Sequence, residues 1–348
     1  MYQIDVKSAF LNGFLQEEIC VDQPEGFVKK GNEDKVYRLR NTLYGLKQAL
    51  RAWYSRIDGH LLGLGFEKSL SKSTLYVKHH DIDILVVSIY VDDVLIIGCN
   101  TRHIEYFTQE MMQAFDLTDL GLMSYFLGME IKQRRDEVFI CQKKYAKEIL
   151  KKFNMEDYKE MNTPMNQKEK LSKNDGAEKV EETYFRGLVG CLMYLTATRP
   201  YILYVVSILS RFKHCASEVH LKAAKRVVRY IKGTINYGVK FQKKIDLKLL
   251  GYSDSDCAGS VDDMKSTSGY CFSLGSGMFS WFSKKKDIVA QSTVEAEFVA
   301  ATAEVNQALW LRKSFGDLHM NQTKGTEVFV DNQSAIAISH NLEENKTL

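Results

Sequence analysis

The stretch from Ser88 to Gly98, SIYVDDVLIIG, constrains the fold more than any other part of the chain. It sets two adjacent carboxylates, Asp92 and Asp93, between β-branched runs that read as buried strand. Asp-Asp between two such runs is ordinary composition for a hairpin tip. A sharper reading is also open, because alternation along a strand sends Asp92 and Asp93 to opposite sides, and only one need reach a site shared with another acid. Asp5, in QIDVKSAFLNG, also follows an apolar, strand-like start. Carboxylates gathered at strand ends repel one another and hold their protons unless divalent cations neutralise them. Two Mg2+ ions roughly 4 Å apart, with Mn2+ as a substitute, can stabilise the attacking and leaving oxygens of an in-line phosphoryl displacement.

The rest of the chain can carry such a site. Its 348 residues are 45% hydrophobic, ample for two or three packed domains and unlike a disordered segment. Seven cysteines, odd in number and scattered, show neither a CxxC pair nor a Cys/His spacing suited to zinc, which fits a reducing compartment. No export signal and no apolar run of ~18 residues occurs, so an intracellular protein that is not secreted and has no membrane partner is expected. The net charge of +3 says little about partners, and local clustering has to carry that argument. Met1 opens directly onto a strand-like run, as a truncated start would.

Over residues 1–160, strand-like runs (DILVVSIYV, DVLIIG, EVFICQ) alternate with helical stretches (KQALRAWYSRIDGHLLGLGF, KKYAKEILKKFNM), an α+β pattern. Residues 161–183 hold a proline, a glycine and many charges without apolar periodicity, and are expected to link domains. Residues 184–240 read as helical, and 241–348 as an α/β domain of strand, turn, strand, helix and strand. Ser292 with Glu295 forms a capping-box pattern, predicting a helix from Thr293 to Phe315 with Val294, Phe298, Ala301, Val305 and Leu309 as its apolar stripe. Spacing does not choose between Glu295 and Glu297 as a site residue, although the cap suits Glu295. In HLKAAKRVVRYIKG, the residues Lys222, Lys225, Arg226, Arg229 and Lys232 recur at helical steps along one face, suited to a phosphate backbone or to plain solvation. SKKKD at 283–287 reads as solubilising surface.

YVDD at Tyr90 to Asp93 resembles the polymerase motif of copia-type LTR retrotransposon reverse transcriptases. Collinear with it run DVKSAFLNG, QPEGF, KVYRLRNTLYGLKQ, DLGLMSYFLGMEI, LVGCLMYLTATRP, AAKRVVRYIKGT, GYSDSD, KSTSGY, EAEF and DNQSAIA. The resemblance implies an α+β palm and thumb-like region over 1–160 with incomplete fingers, a linker at 161–183, a helical connection at 184–240 and an α/β ribonuclease H-like domain over 241–348, truncated at its end. It implies that Asp5, Asp92 and Asp93 bind the metals of the polymerase site. It likewise assigns Phe10, Gly45, Lys47 and Gln48 to the nucleotide, and Leu127 and Gly128 to the primer end. In the nuclease region it selects Asp254, Glu297 and Asp331 as ligands, Glu297 rather than Glu295 and Asp254 rather than Asp256.

The implied cofactor is Mg2+, two ions per site. The implied partners are an RNA template, a DNA primer, the RNA/DNA hybrid, deoxynucleoside triphosphates and other parts of the element's polyprotein, in a cytoplasmic virus-like particle or the nucleus. Leu50, Cys257 and Tyr201 depart from the family's Pro, Trp and Asp, and a buried Trp replaced by Cys would cost ~3 kcal/mol. The chain also ends before the family's last His and fourth acid. Two readings follow: a working polymerase with ribonuclease H, or a catalytically dead nucleic-acid-binding remnant.

Overall fold

The computed structural model describes residues 1–80, 83–166, 169–244 and 247–344. Two of the expected linker residues, 167 and 168, therefore lie outside the described residues. The chain divides into two compact units, one of Met1–Met123 with Lys313–Asn321, the other of Ser124–Arg312 with Gln322–Leu348.

The first unit contains β1 (Tyr2–Val6), β2 (Cys20–Val21), β3 (Tyr37–Arg38), α1 (Ala49–Gly63), β4 (Glu67–Lys68), β5 (Leu75–His80), β6 (Asp83–Tyr90), β7 (Asp93–Gly98), α2 (Thr101–Ala114) and β8 (Leu117–Leu122). Its six-stranded sheet has the order β4-β5-β6-β7-β1-β8, antiparallel throughout. Trp53, Ile57 and Leu61 recur every fourth residue on α1, and Ile104, Phe107 and Met111 do the same work on α2. Both stripes bury against Ile4, Val6, Val87, Val94 and Ile96, the alternate residues of the central strands. Asn100 starts α2 by accepting the Arg102 N–H, 3.1 Å.

The second unit contains β9 (Tyr125–Phe126), β10 (Met129–Arg134), β11 (Glu137–Cys141), α3 (Lys143–Lys152), α4 (Glu182–Leu195), α5 (Leu203–Ser210), α6 (Glu218–Gly233), β12 (Gly238–Gln242), β13 (Leu249–Ser255), β14 (Thr267–Leu274), β15 (Gly277–Lys285), α7 (Thr293–Asp317) up to Arg312, β16 (Glu327–Val330) and α8 (Gln333–Glu344). Strands order as β12-β11-β10-β9 in one sheet and β15-β14-β13-β16 in the other. Helices α3 to α6 share one core, with Ile149, Leu188, Val205 and Val227 among its buried residues.

The division between the two compact units falls between Met123 and Ser124. β12, far downstream, pairs with β11 from Glu137↔Gln242 to Cys141↔Gly238, and this ladder ties residues 124–141 to the helices that follow them. Such a pairing leaves no trace in local periodicity. The expected stripe of α7 differs. Ala296, Glu297, Ala300, Glu304, Ala308, Leu311 and Phe315 are buried, while Val305 and Leu309 are exposed. Apolar residues lie on both faces of this helix, and the face carrying the small alanines is the buried one.

Candidate active sites

In the first unit, Tyr90 and Asp93 close the β6–β7 hairpin, leaving Val91 and Asp92 as a two-residue turn. Val91 takes φ 56°. A β-branched residue in the left-handed region stores of order 1–3 kcal/mol and persists only where its surroundings hold it. Here the Trp53 indole N–H donates to the Val91 carbonyl at 2.6 Å, and the Val6 N–H donates to the Asp92 carbonyl at 2.9 Å. Asp93 stands opposite Asp5 in the β1–β7 register, so the two share a sheet face. Asp93 Oδ1 accepts from Gln3 Nε2, 2.7 Å. Burial, then the charges of Asp92 and Asp93, hold the Asp5 carboxyl above the usual carboxylate range. The three acids therefore share one field.

Phe10 is half-buried, its ring centroid 5.0 Å from that of Tyr44, and the Thr42 hydroxyl donates to the Phe10 carbonyl. Gly45 beside it takes φ 92° with open space where a side chain would stand, Lys47 is exposed, and Gln48 immediately precedes α1.

Leu127 and Gly128 belong to the second unit and form the two-residue turn between β9 and β10, with φ 45° and 74°. Positive φ at both positions defines a type I′ turn. The Tyr194 hydroxyl donates to the Leu127 carbonyl and occupies the space a side chain on Gly128 would need. On α6, the five basic residues do not form one free row. Arg226 donates to the Thr163 carbonyl (3.2 Å) and hydroxyl (2.8 Å), Arg229 to the Lys159 carbonyl (2.6 Å), and Lys232 to the Tyr158 carbonyl (2.9 Å). They fasten the 158–163 segment. Lys222 and Lys225 line a cavity of about 380 Å3 beside it.

The second acidic set is built by three elements of the second unit. β13 and β16 run parallel with Ser253 opposite Val330, so Asp254 and Asp331 follow side by side at the carboxyl ends of the two strands. Helix α7 adds Glu297. One oxygen from each of Asp254, Glu297 and Asp331 lies within 4.8 Å of the others, and among the described residues this is the group able to hold a metal at that spacing. Asp5, Asp92 and Asp93 do not reach it. The neighbouring acids are engaged elsewhere. Glu295 Oε2 accepts the Gln291 N–H (2.7 Å) while Ser292 Oγ accepts the Glu295 N–H (3.1 Å), and Asp256 accepts from the Thr267 N–H (2.6 Å) and the Tyr204 hydroxyl (3.3 Å).

Glu297 is 5% exposed; Oε1 accepts the Ser255 N–H at 3.1 Å, and Oε2 is buried with no hydrogen-bond partner. Burial raises its carboxyl most, the Ser255 N–H opposes, and the charges of Asp331 and Asp254 add to the rise. An all-oxygen donor set with one orphaned buried oxygen fits a hard divalent cation such as Mg2+. Two buried charged residues nearby were not foreseen. Lys286, within the run read as solvated surface, is 8% exposed, and Glu304, two turns beyond Glu297, is fully buried. The seven-residue spacing on α7 was the available signal for Glu304, whereas alternation through β15 sets Lys286 on the face of exposed Phe282 and Lys284 and gives no sign of its burial. Cys257 is exposed and lines a cavity of about 430 Å3 with Arg211, Asp256 and Lys285.

Residues 1–167 match the family described as reverse transcriptase (RNA-dependent DNA polymerase). The chain is 38% identical over 339 residues to a retrovirus-related Pol polyprotein from transposon RE1 of Arabidopsis thaliana, covering 97% of this chain and 23% of that one. To the corresponding polyprotein from transposon TNT 1-94 of Nicotiana tabacum it is 38% identical over 349 residues, 97% of this chain and 26% of that one. A putative transposon Ty5-1 protein of Saccharomyces cerevisiae is 31% identical over 305 residues, 87% of this chain and 99% of the relative. These similarities make the chain a member of the reverse transcriptase family. Within it, the chain belongs with the copia-type retrotransposon Pol polyproteins, spanning about a quarter of the length of the RE1 and TNT relatives. Among the described residues, no helix is long and apolar enough to cross a membrane.

Proposed function

We propose that this chain is the RNA-directed DNA polymerase and ribonuclease H portion of a copia-type element, extending a DNA primer on an RNA template and cutting the resulting hybrid. The observation that carries the nuclease half is the convergence of Asp254, Glu297 and Asp331 within 4.8 Å from a strand, a helix and a parallel strand. The polymerase half is supported by the family match and by the mutual influence of Asp5, Asp92 and Asp93 at the tip of the β6–β7 hairpin. In this reading residues 1–160 form the palm and thumb-like region, 161–183 the linker, 184–240 the connection and 241–348 the ribonuclease H-like domain.

Bound Mg2+ would supply the charge that stabilises attacking and leaving oxygens at each site. The chain's own residues do the rest. Asp5 and Asp93, side by side on one sheet face, with Asp92 from the turn, bind at the polymerase centre, and Gln3 orients Asp93. Phe10, with Tyr44 beside it, borders the sugar of an incoming deoxynucleoside triphosphate, while Gly45, Lys47 and Gln48 line its path. The Leu127–Gly128 turn, held by Tyr194, meets the primer. Lys222 and Lys225 contribute cations toward a nucleic-acid backbone.

A second reading, a nucleic-acid-binding remnant without turnover, is favoured by one observation: the oxygens of Asp5, Asp92 and Asp93 are not drawn together as those of the other set are. Primer extension and hybrid cleavage by the 348-residue chain with Mg2+ decide between them. We expect Asp92→Asn to abolish extension alone and Asp254→Asn to abolish cleavage alone, each by at least about 100-fold. Activity that survives both substitutions defeats the enzyme reading. Binding without either activity in the starting protein supports the remnant.

A further inference from the structure

Lys286 follows directly on β15, and its backbone N–H donates to the Ser266 carbonyl at 2.8 Å, which draws the residue inward. The side chain is 8% exposed and its ammonium donates to the carbonyl of Ala296, the residue before Glu297 in the first turns of α7. A buried ammonium costs several kcal/mol unless acceptors and opposite charges surround it. Burial holds its ammonium below the usual lysine range, and the charges of Glu297 and Glu295 on α7 and of Asp256 after β13 act against that. Its environment is thus made largely by the acidic site and the helix that carries it.

We propose that Lys286 is a positioning residue for the Asp254–Glu297–Asp331 site, fixing the start of α7, and with it Glu297, through the Ala296 carbonyl before a cation arrives. The inference rests on the nuclease reading above. It goes beyond that reading because Lys286 touches no reacting group and acts through Glu297. A solvated lysine would leave the first turns of α7 indifferent to its replacement, and a lysine that merely repelled the cation would weaken metal binding.

The test uses the whole chain with Lys286→Met and Lys286→Arg. Hydrogen exchange of residues 293–300 is followed in metal-free buffer, and Mn2+ binding is followed by the loss of its free-ion resonance, counting only the component that Asp254→Asn removes. We expect K286M to exchange about tenfold faster there and to bind Mn2+ about tenfold more weakly, the effect typical of residues that orient metal ligands, while K286R stays within about twofold of the starting protein in both. Unchanged exchange in K286M, or tighter Mn2+ binding, overturns the proposal. If the starting protein shows no D254N-sensitive Mn2+ binding, the nuclease reading fails, and the metal-free exchange still decides the role of Lys286. Should K286M not fold, Lys286→Leu, which removes the donor at smaller volume, is judged by the same criteria.

Discussion

Glu304 shows how a single side chain can oppose the fold it belongs to. It is fully buried, neither carboxyl oxygen has a hydrogen-bond partner, and it lies against Gly251 of β13, where any side chain would strike it. Burial pushes its carboxyl up to about 7 from the ordinary 4.5. A raised carboxyl favours the protonated form in the folded state, so its cost to folding is absent below the unfolded value, grows as pH rises toward the folded value, and is constant above it. We expect Glu304→Gln to stabilise the protein at pH 8 by about 3 kcal/mol and to change it little at pH 4, read from urea midpoints at the two pH values. An equal gain at both would show that ionisation is not the cause. Acids at the ends of strands and in the first turns of α7 were legible in the sequence, but the choice of Glu297 over Glu295 and of Asp254 over Asp256 came from the resemblance, because spacing left both open. The burial of Glu304 and Lys286 was not legible, because both depend on which face of α7 meets the sheet.

At the scale of elements, the β6–β7 hairpin was readable from its two β-branched runs, but the conformation of its turn was not. Two-residue hairpin loops require positive φ, which glycine, asparagine and aspartate adopt most cheaply, and here the position falls to Val91. The bond from Trp53 of α1 to the Val91 carbonyl holds it there. We expect Val91→Gly to raise stability by about 1 kcal/mol, the released strain exceeding the extra freedom glycine brings to the unfolded chain. A lower denaturation midpoint would show instead that contacts of the valine side chain outweigh the strain. Helix α7 gives the converse case. Its capping residues marked its start, while apolar residues on both sides left its buried face undecided until the sheet selected the alanines.

Over the whole molecule, the organisation of the second unit depends on a pairing between strands about a hundred residues apart. At Gly238 the two strands approach so closely that an added Cβ would meet the Ile140 carbonyl and lie 2.8 Å from Cys141 Cβ. We expect Gly238→Val to cost about 3 kcal/mol and to speed hydrogen exchange in β10, β11 and β12 together, since the strand that closes the loop can no longer seat. Faster exchange confined to β12 would mean that β10 and β11 stand without it.

By its order of residues alone, the chain determined the paired acids between strands, the cap that begins α7, the helical run over residues 184–240 and the membership in its family, because each is written in neighbours or in collinear motifs. Only the tertiary structure decided that β11 pairs with β12, that Asp254, Glu297 and Asp331 converge more tightly than Asp5, Asp92 and Asp93, that Arg226, Arg229 and Lys232 bind backbone carbonyls, and that Lys286 lies buried. Local pattern states which faces are apolar and where turns fall. Which distant surfaces meet depends on the summed free energy of many non-local contacts, and no short stretch of sequence contains that sum.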